Sequence, residues 1–203
     1  MFEAIAWDVD GTLVDSEPLH HVALMAVSRR YGVTVKPDDD RFVGVAMGDV
    51  WRVLSKEYPS GLTRDVWLEE IVEAYIEHAP RLKPIPGACE AVAAFHKAGV
   101  AQCCVSNSAR RIVETNLAAV GLDGMVLFSV VREDVEEGKP DPAPYALACA
   151  RLGKRPDSVM AIEDSAVGAE SARRAGLSVL QFGLDFDDFS SIALTISETR
   201  VSA

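Results

Sequence analysis

The sequence predicts an α/β protein in which a doubly wound parallel sheet carries an inserted helical domain. Three observations predict it. Strand-like apolar runs fall at residues 2–8, 100–105, 126–131, 158–162 and 178–182, with helical patterns between most of them, the alternation expected of parallel βαβ units. Glycines stand at the ends of three helical patterns, Gly99 after 87–98, Gly121 after 109–120 and Gly176 after 166–175, where a left-handed residue caps a helix. About 90 residues separate the first strand from the second, whereas a crossover needs only ~10–12. The surplus predicts a helical domain over 16–81, with 1–15 and 82–203 left to build the sheet.

The first strand, FEAIAW, is apolar at five of six positions and therefore reads as covered on both faces. Asp8, Val9, Asp10, Gly11 and Thr12 follow it, and Gly11 allows a sharp turn. In the inserted region residues 16–31, about 48–58 and 64–79 look helical, and Thr63 is a candidate cap for the last. Trp51, Trp67 and Tyr75 recur at helical spacings and are read as the interior of that domain. Pro80, Pro84, Pro86 and Gly87 form a return that suits a semi-rigid hinge. Cys103 and Cys104 sit in the strand VAQCCV, so their side chains point to opposite faces. With Cys89 and Cys149 they lack zinc-site spacing and are read as reduced, small hydrophobes.

Composition bounds the function. The chain has 203 residues, 49% of them hydrophobic and 25% charged, as in a soluble globular protein. A net charge of -11 opposes non-specific binding to nucleic acid or anionic lipid, both of which need a positive field. No leader pattern and no apolar run approaching the ~18 residues of a membrane span is present. A cytoplasmic protein, monomeric or weakly dimeric and binding neither nucleic acid nor membrane, is expected.

The polar residues that carry chemistry cluster where strands end, the crevice in which open α/β sheets bind ligands. Asp8 and Asp10 follow the first strand; Ser106, Asn107 and Ser108 follow the second; Lys139 stands before Pro140; Glu163, Asp164 and Ser165 follow VMAI, with Gly168 beyond. Each has a plainer reading. Asp8 and Asp10 could cap a turn, or begin a calcium loop, although position 12 of such a loop would be Leu19. Ser106 and Asn107 could cap the helix beginning near Ala109, Glu163 and Asp164 could be a solvated loop, and Lys139 a surface lysine. Pro140 favours an extended Lys139, which would aim its ammonium.

Taken jointly, D-x-D-G-T, S-N, K-P and E-D-S-x-x-G, each beside a strand end, resemble the haloacid dehalogenase superfamily over roughly residues 2–183. The resemblance is to its magnesium-dependent phosphatases and phosphomutases with a helical cap inserted after the first strand of a Rossmann-like core. It implies Mg²⁺ held by Asp8, the main-chain carbonyl of Asp10, and Asp164, with Glu163 in or just outside the first shell. It also implies attack on phosphorus by Asp8, acid–base catalysis by Asp10, and binding of the phosphoryl oxygens by Lys139 and Ser106. Asn107 and His20 join the candidate substrate-binding residues; for His20 a structural surface role stands beside that reading. The implied partner is a small phosphorylated metabolite.

The cap departs from the mutase pattern. The β-phosphoglucomutases place an arginine after the glycine matching Gly44, where this chain has Val45, Ala46, Met47 and Gly48; Leu24 stands at the place of their tryptophan, and Glu69, Glu70, Glu73 and Glu77 follow along a helix. Few cations there could hold a second phosphate, which favours hydrolysis of a sugar or sugar-acid monophosphate over a mutase, with a non-catalytic binding module third. Arg52 or Lys56 could reach a substrate carboxylate. Residues 184–203, with Asp185, Asp187 and Asp188, lie beyond the resemblance and are expected to form a surface-packed end.

Overall fold

The computed structural model describes residues 2–190 and residue 192. From the N-terminus the chain forms β1 (Ala4–Trp7), β2 (Val14–Asp15), α1 (Glu17–Arg30), α2 (Met47–Leu54), α3 (Arg64–His78) and β3 (Lys83–Pro84). It continues through α4 (Ala88–Lys97), β4 (Ala101–Val105), α5 (Arg110–Ala119), β5 (Ser129–Val130), α6 (Ala143–Leu152), β6 (Val159–Glu163), α7 (Ala166–Arg174) and β7 (Ser178–Gln181). The described residues divide into two units, one drawn from Met1–Asp15 and Lys83–Ala203, the other from Ser16–Leu82.

In the first unit five parallel strands run in the order β5-β4-β1-β6-β7. β1 is central, with Ala6 in register between Cys103 and Ala161, and all four of its residues are buried. One face of the sheet sets Ala4, Ala6, Cys103 and Val105 against Tyr145, Ala148 and Cys149 of α6 and Ala172 of α7. On the other, Trp7 packs against Phe95 of α4 at a centroid distance of 6.0 Å. Trp7 Nε1 donates to Gln102 Oε1 at 2.8 Å, and Gln102 Nε2 donates to the Val92 carbonyl at 3.1 Å. Without Gln102 the buried indole N–H would lose its partner, at a cost of about 1–3 kcal/mol. With helices on both faces the sheet is doubly wound, an α/β Rossmann-like fold. Winding reverses on either side of β1, so the crevice lies at the carboxyl ends of β1 and its neighbours.

Several elements differ from expectation. β5 is two residues long and pairs with β4 alone, at one edge of the sheet. α6 was not foreseen; Pro142 and Pro144 look like breakers in the sequence, but proline is tolerated in the first turn, and Gly153, at φ 64°, closes the helix. α2 ends at Leu54 instead of near 58, and residues 55–57 continue as turns ahead of Pro59. β2 and β3 form an antiparallel pair, Val14 opposite Pro84 and Asp15 opposite Lys83, that carries the chain out to the second unit and back. The end expected at the surface is partly buried. Phe189 has no exposure, and its ring lies 5.0 Å from Phe182, 5.2 Å from Phe186 and 6.4 Å from Trp7. Residues 191 and 193–203 of that end lie outside the described residues.

The second unit is helical. α1 buries Leu19, Ala23, Leu24 and Val27, and α3 buries Trp67, Ile71, Ala74 and Tyr75, the i, i+4 spacing of an apolar stripe. Thr63 caps α3, its hydroxyl accepting from Val66 N at 3.3 Å. Trp51 stacks on Tyr58 at 5.7 Å and lies 5.4 Å from Trp67, while Tyr58 OH and Ser28 Oγ share a 2.7 Å hydrogen bond. Among the described residues no helix is long and apolar enough to cross a membrane.

Candidate active site

β1 delivers Asp8 to the crevice: its N–H continues the ladder to the Ile162 carbonyl at 2.9 Å, and its side chain meets the ammonium of Lys139. Lys139 Nζ donates to Asp8 Oδ1 at 2.7 Å, to Glu163 Oε1 at 2.6 Å and to the Val105 carbonyl at 2.7 Å. An ammonium has three donors, so every one is used. The reading of Lys139 as a surface lysine is corrected, since only 4% of its side chain is exposed. Burial pulls its pKa down, but Asp8 and Glu163 outweigh that and raise it, keeping the ammonium charged.

Glu163, at the end of β6, has no exposure; this excludes the solvated-loop reading. Its Oε1 also accepts from Tyr145 OH at 2.5 Å, and its Oε2 from Ser165 Oγ at 3.3 Å. A Cβ on Gly168 would run into this carboxylate, which explains the glycine of E-D-S-x-x-G. Ser165 caps α7 by accepting from Gly168 N at 3.0 Å. Asp164 Oδ1 accepts from the buried Thr12 hydroxyl at 3.4 Å, and its carboxylate crowds the backbone at Gly11, where φ is +84° and a Cβ would collide with it. Burial, then Glu163, pushes Asp8 well above the ordinary carboxylate range, with Lys139 opposing. Asp164 is raised by burial and then by Glu163. Burial, then Glu163, raises Tyr145 as well, so its hydroxyl remains a donor.

Asp10 turns toward β4 and α5. Its Oδ2 accepts from Ser106 Oγ at 3.0 Å and Ser108 Oγ at 2.8 Å, its Oδ1 from Asn116 Nδ2 at 3.1 Å. Ser106 Oγ also accepts from Ser108 N at 2.9 Å. Neither Ser106 nor Asn107 caps α5, whose N-cap Ala109 makes no side-chain bond; the amide of Asn107 is engaged with the backbone of Lys139. The structure therefore gathers Asp8, Asp10, Ser106, Asn107, Lys139, Glu163 and Asp164 in the sheet unit. His20 belongs to the helical unit, where its ring lies 4.6 Å from Tyr75.

Sequence reasoning missed Tyr145 and Asn116 as members of this network and left Ser108 and Thr12 without roles. Asn116 left a signal, a polar residue on the stripe otherwise made of Ile112, Val113 and Leu117, and it is fully buried.

Three carboxylates, Asp8, Glu163 and Asp164, each offer an oxygen, and these oxygens lie within 4.8 Å of one another. Asp8 Oδ2 is buried with no hydrogen-bond partner. An orphaned oxygen among crowded acids that share one ammonium is a donor set fitted to a hard divalent cation. A sheet crevice that presents buried carboxylates, one lysine and such a donor set has the charges to handle an anionic group beside a divalent cation.

The haloacid dehalogenase-like hydrolases, as a family, match residues 2–176, and the chain belongs to that family. It is 31% identical over 180 residues to N-acetylmuramic acid 6-phosphate phosphatase of Pseudomonas aeruginosa, covering 86% of this chain and 78% of that one. It is 28% identical over 192 residues to 6-phosphogluconate phosphatase of Escherichia coli, covering 90% and 83%. The crystal structure of CbbY from Rhodobacter sphaeroides in complex with phosphate shares the fold, with a TM-score of 0.85 over 95% of this chain and 96% of that one at 24% identity.

Proposed function

We propose that the protein hydrolyses a small phosphate monoester, a sugar or sugar-acid phosphate, in the cytoplasm, with Mg²⁺ bound and through an aspartyl-phosphate intermediate. That it is a phosphoric monoester hydrolase follows from its family and from the phosphatases among its relatives. The observation that carries the proposed mechanism is Asp8, a buried carboxylate at the end of the central strand, gripped by Lys139 through Oδ1 and unpartnered at Oδ2. The sugar-acid class is supported by the two relatives named above. Four free cysteines agree with a reducing compartment.

Asp8, the Asp10 main-chain carbonyl and Asp164 would hold the metal, with Glu163 in or just outside its shell. When bound, Mg²⁺ supplies positive charge that lets a carboxylate approach an anionic ester. Asp8 attacks phosphorus, the ester P–O bond breaks, and Asp10 gives its proton to the departing alcohol. Asp10 then takes a proton from the water that attacks the aspartyl phosphate, which releases phosphate and restores the Asp8 carboxylate and the protonated Asp10 carboxyl. Lys139 and Ser106 serve the phosphoryl oxygens. An oxyanion reaches a Lys139 N–H by replacing one of its three acceptors, and Ser106 Oγ by drawing it from Asp10. Domain boundaries at 16 and 81 leave substrate choice, His20 included, to the helical unit.

The test is release of inorganic phosphate across sugar, sugar-acid and short organic phosphates, with conversion of β-glucose 1-phosphate to glucose 6-phosphate followed in parallel. Release that Mg²⁺ supports and EDTA abolishes is expected. Isomerisation without release would replace this reading with a β-phosphoglucomutase-type mutase, and silence in both would leave a binding module.

A further inference from the structure

The side-chain amide of Asn107 holds the backbone of Lys139 at both of its polar groups. Lys139 N donates to Asn107 Oδ1 at 2.8 Å, and Asn107 Nδ2 donates to the Lys139 carbonyl at 3.0 Å. A planar amide engaged at both ends fixes the orientation of the residue it meets, as a neighbouring strand would. Two residues earlier in the same segment, the Val105 carbonyl accepts from Lys139 Nζ at 2.7 Å. The end of β4 therefore grips the lysine at its backbone and at its ammonium.

That double grip answers a physical problem. A lysine side chain has four flexible methylene groups, yet this ammonium must meet three acceptors at 2.6–2.7 Å. Its backbone leaves the sheet after β5 and lies in no strand or helix. Beyond it the loop is tied down by Asp141 N to the Gly138 carbonyl at 2.9 Å, Ser171 Oγ to the Asp141 carbonyl at 2.5 Å and Arg174 Nη1 to the Pro140 carbonyl at 3.1 Å. None of these bonds is to Lys139 itself. Gly138 supplies an independent observation: a Cβ there would stand 2.6 Å from Asn107 Oδ1 and 3.1 Å from its Cγ. The loop makes room for the amide.

We propose that Asn107 is a positioning residue that sets the reach of Lys139 onto Asp8 and Glu163, and that its side chain is not a substrate contact. The catalytic consequence rests on the phosphatase reading; the clamp does not. Asn107 is exposed, so water can replace its bonds when it is removed, and the fold should survive while the lysine loosens.

The experiment uses the full chain. Hydrogen exchange of the Lys139 amide, followed by NMR, reads the clamp; steady-state hydrolysis of p-nitrophenyl phosphate reads its consequence. Asn107→Ala is expected to speed exchange at least about tenfold and to lower kcat by about 10- to 100-fold, as loss of a supporting partner does, with KM moving less than about threefold. Asn107→Asp keeps the Oδ1 acceptor and should keep the amide protected. Gly138→Ala should reproduce Asn107→Ala, and combining the two should add little, because the clash disappears with the amide. Unchanged protection in Asn107→Ala, kcat losses that multiply in the double variant, or a raised KM with kcat retained would each overturn the proposal. A wild-type protein that releases no phosphate would sink the phosphatase reading, while the exchange rates would still decide the clamp.

Discussion

The two units differ in where they bury charge. The sheet unit pairs charges at its surface, as Lys154 with Glu3 and Arg155 with Asp157, but it also takes three inside: Asp8, Lys139 and Glu163 are the buried charged residues among those described. In the helical unit the interior is aromatic and aliphatic, and charges meet in pairs near the surface, Arg41 with Asp39, Arg30 with Glu70 and Arg52 with Asp49. Burying an ion costs several kcal/mol unless partners satisfy it, so a fold keeps such groups where they answer one another closely. Among the described residues the sheet unit leaves one buried ionic oxygen without a partner, Asp8 Oδ2, whereas the buried atom left without one on α3 of the helical unit is a neutral indole N–H, Trp67 Nε1. The comparison teaches that the reactive position is the place where compensation is incomplete, and that the helical unit is built for packing.

The sharpest way to break that comparison is Asp8→Asn. Loss of the nucleophile should lower turnover by at least about a thousandfold. Stability should not fall with it. A carboxyl whose folded pKa is raised contributes stability below its unfolded pKa and loses it as pH rises through the folded value; at neutral pH the ionised Asp8 is therefore a burden on the metal-free protein, with burial and Glu163 as its causes. A neutral amide removes that burden. Thermal unfolding without metal should show an equal or higher Tm for Asp8→Asn, and substantial residual turnover in the purified variant would dismiss Asp8 as nucleophile.

How much of this was legible in the sequence follows the same division. β1 could be read because Ala4–Trp7 has no polar interruption before Asp8, and Asp8 and Glu163 could be paired with strand ends because strands end where their apolar runs do, whereas Lys139, expected beside a strand end, lies in the loop beyond β5. The doubly wound sheet followed from the alternation of patterns. Tyr145 was hidden because α6 begins with Pro142 and Pro144, which read as a loop, and β2 and β3 were hidden because two residues carry no periodicity. Asn107 was visible as a residue but not as a clamp: the amide meets Lys139, 32 positions away, a contact that no spacing rule predicts. The helical unit offered helices and a core, while its exposed cations carry no pattern that separates a substrate contact from a surface pair.

A smaller effect sharpens the comparison from the sheet side. Gly168→Ala drives a Cβ into the Glu163 carboxylate, which cannot swing away without leaving Lys139 and Tyr145. Overpacking of this kind should cost about 1–3 kcal/mol, a Tm lower by roughly 3–10 °C in a chain of this size. Turnover should fall as well, because displaced Glu163 frees the ammonium it shares with Asp8. Wild-type Tm and activity in Gly168→Ala would mean that this carboxylate is not held as tightly as its burial requires.

The smallest effect is expected in the helical unit, at Arg52→Ala. Arg52 pairs with Asp49 one turn away on α2, with 76% and 51% of their side chains exposed. Solvent screens such a pair, and ordering two long side chains consumes what attraction remains, so removal should change stability by less than about 0.5 kcal/mol. Turnover of neutral sugar phosphates should be unchanged. Sugar-acid phosphates make the informative control, since their carboxylate is the group a free guanidinium would hold by a bidentate bond. KM values for neutral and acidic substrates that move together would keep the helical unit as packing at this position. A KM rise confined to the acidic substrates would show that part of the site lies on α2, and that an exposed ion pair in one unit can be as functional as a buried one in the other.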